Sequence, residues 1–211
     1  MPFKPAKTQF LRQTSIKLNN AAFVVVPVPY EKTTSYGKGT KHGPAAVIKA
    51  SSQLELWDEE TGTETWKKGI FTVSAVDCSP PEKKFFPALE KTVEELLRST
   101  GALPFFIGGE HSITQALLPP FRRRYKNLSI LHFDAHADLR PYYEGSPRSH
   151  ASALYPASRK TRTVQIGIRS VGPDELRHHN TGLVKTRLMH ENQDMKKLER
   201  DVLRELTDTV Y

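Results

Sequence analysis

Apolar runs separated by stretches of helical periodicity restrict this chain to an α/β architecture. Residues 22–28, 69–76, 103–107, 128–133 and 163–168 read as strands, and several are nearly continuous in hydrophobicity, as suits strands buried on both faces of a parallel sheet. Phe85, Leu89, Val93 and Leu96 recur at helical spacing, as do Met195, Leu198, Val202 and Leu206, each series backed by Lys, Glu and Arg. Strands alternating with such helices predict βαβ units. Two helix starts are legible. Gly43-Pro44 puts a proline at a first helical position, and Ser112-Ile113-Thr114-Gln115 has the spacing of a capping box. Residues 141–161, with Pro141, Gly145, Pro147 and Pro156 among Ser and Tyr, read as a long irregular loop.

A chain of 211 residues fits one domain with a proper core. Charged residues at 26% and hydrophobic ones at 37% describe a soluble globular protein, and the longest apolar run, residues 21–28, is too short to span a bilayer. No secretory signal is visible, and the lone Cys78 excludes an intrachain disulfide framework, so the expected compartment is cytoplasmic. The net charge of +8 raises the question of nucleic acid, with Arg122-Arg123-Arg124-Tyr125-Lys126 as the best patch. The other basic residues are scattered among acidic ones, however, and a triple Arg after a helical segment suits a solvated helix end. Neither a nucleic acid nor a membrane is an expected partner.

His132-Phe133-Asp134-Ala135-His136-Ala137-Asp138 carries the chemistry. In an extended segment, side chains at alternate positions leave the same face, so Asp134, His136 and Asp138 are expected to converge where the chain leaves a buried strand. Clustered carboxylates repel one another and resist desolvation unless a cation compensates them. His111, in the turn after residues 103–107, falls at the same carboxyl edge of the sheet, where ligands of open α/β folds bind. A mixed carboxylate and imidazole shell suits Mn²⁺ better than structural zinc. Two such ions sharing a carboxylate would bring the pKa of a water between them toward neutrality, which suits hydrolysis. The leaving group would then need a proton, and His150 in the irregular loop is the candidate donor. His132 shares the strand parity but lies inside the apolar run, which reads as a hydrogen-bonded core imidazole.

Other features read as structural. Gly37-Lys38-Gly39-Thr40-Lys41-His42-Gly43 fits neither phosphate-loop pattern, and its glycines suit positive φ angles ahead of the helix at Pro44. Ser112 and Ser149 lack a nucleophile-elbow context, and nothing around Cys78 would activate it.

Gly108-Gly109-Glu110-His111-Ser112-Ile113-Thr114, then residues 132–138, then Ser149-His150-Ala151, in that order, resemble the ureohydrolase superfamily of arginases and agmatinases, the agmatinase branch most of all. Val26-Pro27-Val28-Pro29-Tyr30-Glu31, Thr34-Ser35-Tyr36-Gly37-Lys38-Gly39-Thr40 and Gly43-Pro44 also look like that branch. The resemblance covers residues 21–211 as an arginase-like domain, after an amino-terminal extension of residues 1–20. It implies a three-layer α/β/α fold around a mainly parallel sheet, and two Mn²⁺ ions. The implied reaction is hydrolysis of a guanidinium group to urea and an amine, as from agmatine to putrescine in polyamine biosynthesis. By the same matching, His111, Asp134, His136 and Asp138 fall on metal ligands and His150 on the histidine that assists proton transfer. A small cationic guanidino substrate and a homo-oligomer are the expected partners. Family members carry a later strand ending in Asp-x-Asp, and a later glutamate, that have no counterpart here; Thr209-Val210-Tyr211 looks like the opening of that strand. The alternatives are therefore a catalytically incomplete form of such an enzyme, or one acting on another guanidino or formimino compound. A single-zinc deacetylase is disfavoured by the order of the motifs.

Overall fold

The computed structural model describes residues 3–211. They form two compact units, the first ending at Glu110 and the second spanning His111–Tyr211. No helix among the described residues is long and apolar enough to cross a membrane.

The first unit contains β1 (Phe23–Val28), α1 (Gly43–Ala50), β2 (Ile70–Thr72), α2 (Glu82–Ser99) and β3 (Leu103–Gly108). Its strands are all parallel, in the order β2-β1-β3. As the patterning requires, β1 is buried along nearly its whole length, and α2 turns Phe85, Leu89, Val93 and Leu96 inward. Tyr30, just past β1, stacks on Phe85 at 4.3 Å and meets Phe86 edge-on. Expectation and structure part at β3. Although uniformly apolar, it lies at an edge of its sheet, and Phe105 on it is half exposed.

The amino-terminal segment closes the opposite edge. Gln9 is buried and imitates a strand residue: its Nε2 donates to the Thr72 carbonyl at 2.9 Å, and its Oε1 accepts from the Thr72 N–H at 2.8 Å. Ala6 N–H reaches the same carbonyl, and Gln13 accepts from Ile70 N–H. Side-chain amides thus satisfy backbone groups that an open edge would expose.

In the second unit, α3 (Thr114–Arg124), β4 (Leu128–Phe133), α4 (Tyr155–Ser158), β5 (Arg162–Ile168), α5 (Pro173–Leu176), β6 (Val184–Leu188), α6 (Met195–Glu205) and β7 (Thr209–Val210) build a parallel sheet ordered β6-β5-β4-β7. One face carries Ile130 against Leu118 of α3 and Leu154 beside α4. The other carries Val164, with Leu131 and Ile166, against Leu198 and Val202 of α6. Helix, sheet and helix are therefore layered within this unit. Thr209-Val210 does pair as a strand, beside β4. The triple Arg forms the last turn of α3, where cations complement the helix dipole.

Two local expectations need correction. The second helix starts later than the capping box implies, since a 3-10 turn, His111–Ile113, precedes α3, and its cap residue Ile113 offers no side-chain bond. Gln115 instead donates to the carbonyls of Pro147 and Ser152, tying the following loop to α3. That loop is also less irregular than its composition suggests, holding a 3-10 turn at His150–Ser152 and the short α4.

Gly109 shows why a glycine follows β3. Its N–H bonds the Val28 carbonyl, and a Cβ there would sit 2.2 Å from the Tyr30 carbonyl oxygen. Gly109→Ala is expected to lower stability by about 1–3 kcal/mol, the usual range for overpacking, read as a lower urea midpoint. Gly101→Ala, with open space around its Cβ, is the matched control and should leave the midpoint within about 0.5 kcal/mol of wild type.

Burial, with the Asp77 carboxylate beside it, pushes the Cys78 thiol up to about 11. Folding therefore favours the neutral thiol, a contribution present below the unfolded value near 9 and lost as pH rises toward 11. Iodoacetamide at pH 8 should alkylate the native chain more slowly than the urea-unfolded chain. Equal rates would show that the thiol is not protected.

Candidate metal centre

The carboxyl end of β4 delivers the site. Asp134 follows the last strand residue, and its N–H bonds the Ile166 carbonyl at 3.1 Å. Opposite it, β5 carries an irregularity at Gly167, whose φ of +85° takes a conformation that glycine adopts without strain. A Cβ at Gly167 would stand 3.2 Å from the Asp134 carbonyl oxygen, so the bulge also makes room for the turn.

Beyond Phe133 the alternation expected of an extended segment ends. Asp138 lies at φ +52°, in the left-handed region that Asp tolerates better than most residues. Its carboxylate returns to Asp134 by a turn rather than by strand parity. Glu175, buried in α5, holds that turn: its Oε1 accepts from Leu139 N–H at 3.0 Å and its Oε2 from Gly172 N–H at 2.9 Å. Arg140 pairs with Asp174 and Glu175 on the same side.

The result is a group of four side chains, His111, His132, Asp134 and Asp138, each offering a ligand atom within 4.8 Å of the others. His111 Nδ1 lies 2.6 Å from Asp138 Oδ2 and 3.8 Å from Asp134 Oδ2. His132 Nε2 is buried and lies 3.3 Å from Asp134 Oδ2. Two carboxylates and the His111 imidazole drawn together at the end of a buried strand, a set of oxygen and nitrogen donors, fit a divalent cation.

His136 stands outside the group of four. Its side chain is 63% exposed, and its Nδ1 lies 3.4 Å from the other oxygen of Asp134, Oδ1. That same oxygen accepts the His136 backbone N–H at 2.8 Å. Asp134 therefore faces His111 and His132 with one oxygen and His136 with the other, the disposition of a carboxylate that two ions can share. Burial raises its pKa, but the His132 side chain, the His136 N–H and the adjacent imidazoles outweigh that and hold the carboxyl well below the usual carboxylate range. It is ionised at neutral pH.

His150 opens the 3-10 turn His150–Ser152, which packs against the turn His111–Ile113. Its Nδ1 lies 3.4 Å from Ser149 Oγ, and the ring meets Tyr143 edge-on at 5.7 Å. His132 is the buried, hydrogen-bonded imidazole its place in the strand predicts, with Gln165 on Nδ1 at 3.0 Å, yet its second nitrogen faces the cluster. Sequence reasoning missed Gln165 and Glu175. A glutamine in the apolar stretch of β5 and a Pro-Asp-Glu helix start were the available signals.

The remaining polar motifs are architectural. Glu110 is buried and accepts from the N–H groups of Lys32 and Thr33 at 2.7 and 2.8 Å, closing the loop after β1. Glu31 accepts from Gly39 N–H at 2.6 Å and Lys41 N–H at 3.2 Å, and Gly37 and Gly39 have the positive φ angles expected of them.

The model of the arginase family matches residues 21–211. An N(1)-aminopropylagmatine ureohydrolase from Synechocystis sp. is 36% identical over 206 residues, covering 90% of this chain and 66% of the relative. An agmatinase from Bacillus anthracis is 32% identical over 134 residues, covering 62% of this chain and 45% of the relative. The crystal structure of the agmatine ureohydrolase of Thermoplasma volcanium superposes with a TM-score of 0.85 at 25% identity, covering 96% of this chain and 69% of that one. The chain thus spans from under half to about two-thirds of the length of these two relatives and of that solved structure. With a parallel α/β fold, an acidic and imidazole cluster at the carboxyl end of β4, and a family match over residues 21–211, the chain belongs to the arginase family.

Proposed function

We propose that this chain carries the metal-binding core of a manganese-dependent ureohydrolase that cleaves a guanidinium group to urea and an amine. Agmatine and N(1)-aminopropylagmatine are the substrates to test, since relatives are named for both. The observation that carries the reading is the disposition of Asp134, one oxygen toward His111 and the other toward His136. His111, Asp134 and Asp138 would hold one ion, and Asp134 with His136 would contribute to a second. Bound there, divalent ions supply an activated water at neutral pH.

The protein's own residues have separable tasks in this reading. Asp134 and Asp138 provide the negative charge, and Glu175 with Arg140 keeps Asp138 in its turn. His150, steadied by Tyr143, delivers a proton to the departing amine. A second reading, in which the residues present bind metal but turnover needs others, is kept because the chain spans only part of the length of the relatives it matches.

The chain incubated with Mn²⁺ and either substrate should release urea, lose that activity to a chelator and regain it on adding Mn²⁺. Bound Mn²⁺ without urea would favour the second reading, and neither metal nor urea would defeat both. Asp138→Asn should weaken Mn²⁺ binding, seen by equilibrium dialysis. In a chain that turns over, His150→Asn should lower kcat by about 10²–10⁴-fold, as loss of a general acid does, with little change in metal content. A His150→Asn variant of unchanged kcat would remove it from the mechanism.

A further inference from the structure

His132, Gln165 and Thr186 form a polar row across three neighbouring strands. His132 is in register with Gln165 across β4 and β5, and Gln165 with Thr186 across β5 and β6, so the three side chains share one face of the sheet. They are 8%, 0% and 3% exposed, which obliges their polar atoms to find partners inside the protein.

The row has a direction. Gln165 Nε2 lies 2.6 Å from the Ala137 carbonyl oxygen, which can only accept, while Gln165 Oε1 accepts from the Thr186 hydroxyl at 3.0 Å. Turning the amide over would set two carbonyl oxygens against each other at the shorter of these distances, so its orientation is determined by its neighbours. The second N–H of the same amide points at His132 Nδ1, 3.0 Å away. An amide N–H only donates, so Nδ1 accepts, and the proton of the neutral ring is on Nε2. Nε2 is the atom that lies 3.3 Å from Asp134 Oδ2.

We propose that His132, although it stands among the four clustered side chains, is a positioning residue and not a metal ligand. The row from Thr186 through Gln165 presents its Nε2–H to Asp134 Oδ2 and so orients the carboxylate shared by the metal centre; this role rests on the metal-binding reading above. A ligating histidine needs the reverse arrangement, with a bare nitrogen toward the metal and the other N–H donated to an acceptor. Here an amide donor occupies the place where that acceptor would have to be. The ligand set on this side reduces to His111, Asp134 and Asp138, and Asp134 is turned so that Oδ1 stays toward His136.

Two measurements test this. Nitrogen-15 NMR of the metal-free chain at pH 8 should show His132 as the Nε2–H tautomer; an Nδ1–H tautomer overturns the proposal. Calorimetric titration with Mn²⁺ should find His132→Leu and Gln165→Leu weaker by about 10–100-fold, the usual effect of losing an outer partner of a ligand. His132→Gln, whose terminal amide can still donate toward Asp134, should recover most of the loss. Circular dichroism confirms that each variant is folded. Equal losses in His132→Gln and His132→Leu, or unchanged affinity in Gln165→Leu, would overturn the role. Failure of the wild-type chain to bind Mn²⁺ would overturn the metal-binding reading itself, whereas an Nδ1–H tautomer in a chain that does bind it would overturn only the role of His132.

Discussion

The parallel pairing of β4 with β5 is the constraint on which the second unit depends. Its register sets Ile130 beside Thr163, Leu131 beside Val164 and His132 beside Gln165. Side chains alternate along a strand, so a slip of one residue would send every one of them to the opposite face. Leu131 would leave α6, Ile130 would leave the cluster around Leu118, and His132 would lose Gln165. Hydrophobic burial on both faces therefore selects the register, and the register places the polar row. The bulge at Gly167 then ends the regular pairing where Asp134 must turn.

Two carboxylates share a small region with His111, and Asp134 remains ionised. One of them, Asp138, is reached only through a left-handed backbone. Such an arrangement persists when the surroundings over-determine it, and here they do: Glu175 holds Leu139 N–H, Leu154 N–H bonds the Asp138 carbonyl, and Ala151 accepts from Arg140 N–H. A divalent cation would draw on both carboxylates at once, which gives the rigidity around Asp138 a purpose beyond the stability of the turn.

Much of this was legible in the residues. The five apolar runs became strands, the two long amphipathic patterns became α2 and α6, and the basic run became the end of α3. β6 was not legible. Val-Lys-Thr-Arg-Leu alternates, but its polar half reads as a surface segment until Gln165 and β5 supply a neighbour. Nor was the exposure of Phe105 legible, because an apolar run does not say which of its side chains the rest of the chain will cover.

Around the site, composition and spacing determined which residues can carry the chemistry: Asp134, His136 and Asp138 after a buried strand, with His111 and His150 in flanking turns. Periodicity alone assigned them one face. The tertiary structure decided otherwise, because the backbone leaves the extended conformation at Asp134 and Asp138 returns by a turn, with His136 on the far oxygen. It also decided the standing of His132. Whether an imidazole ligates or positions depends on which nitrogen holds the proton, and that is dictated by Gln165 on a strand thirty-three residues away in sequence and adjacent in space.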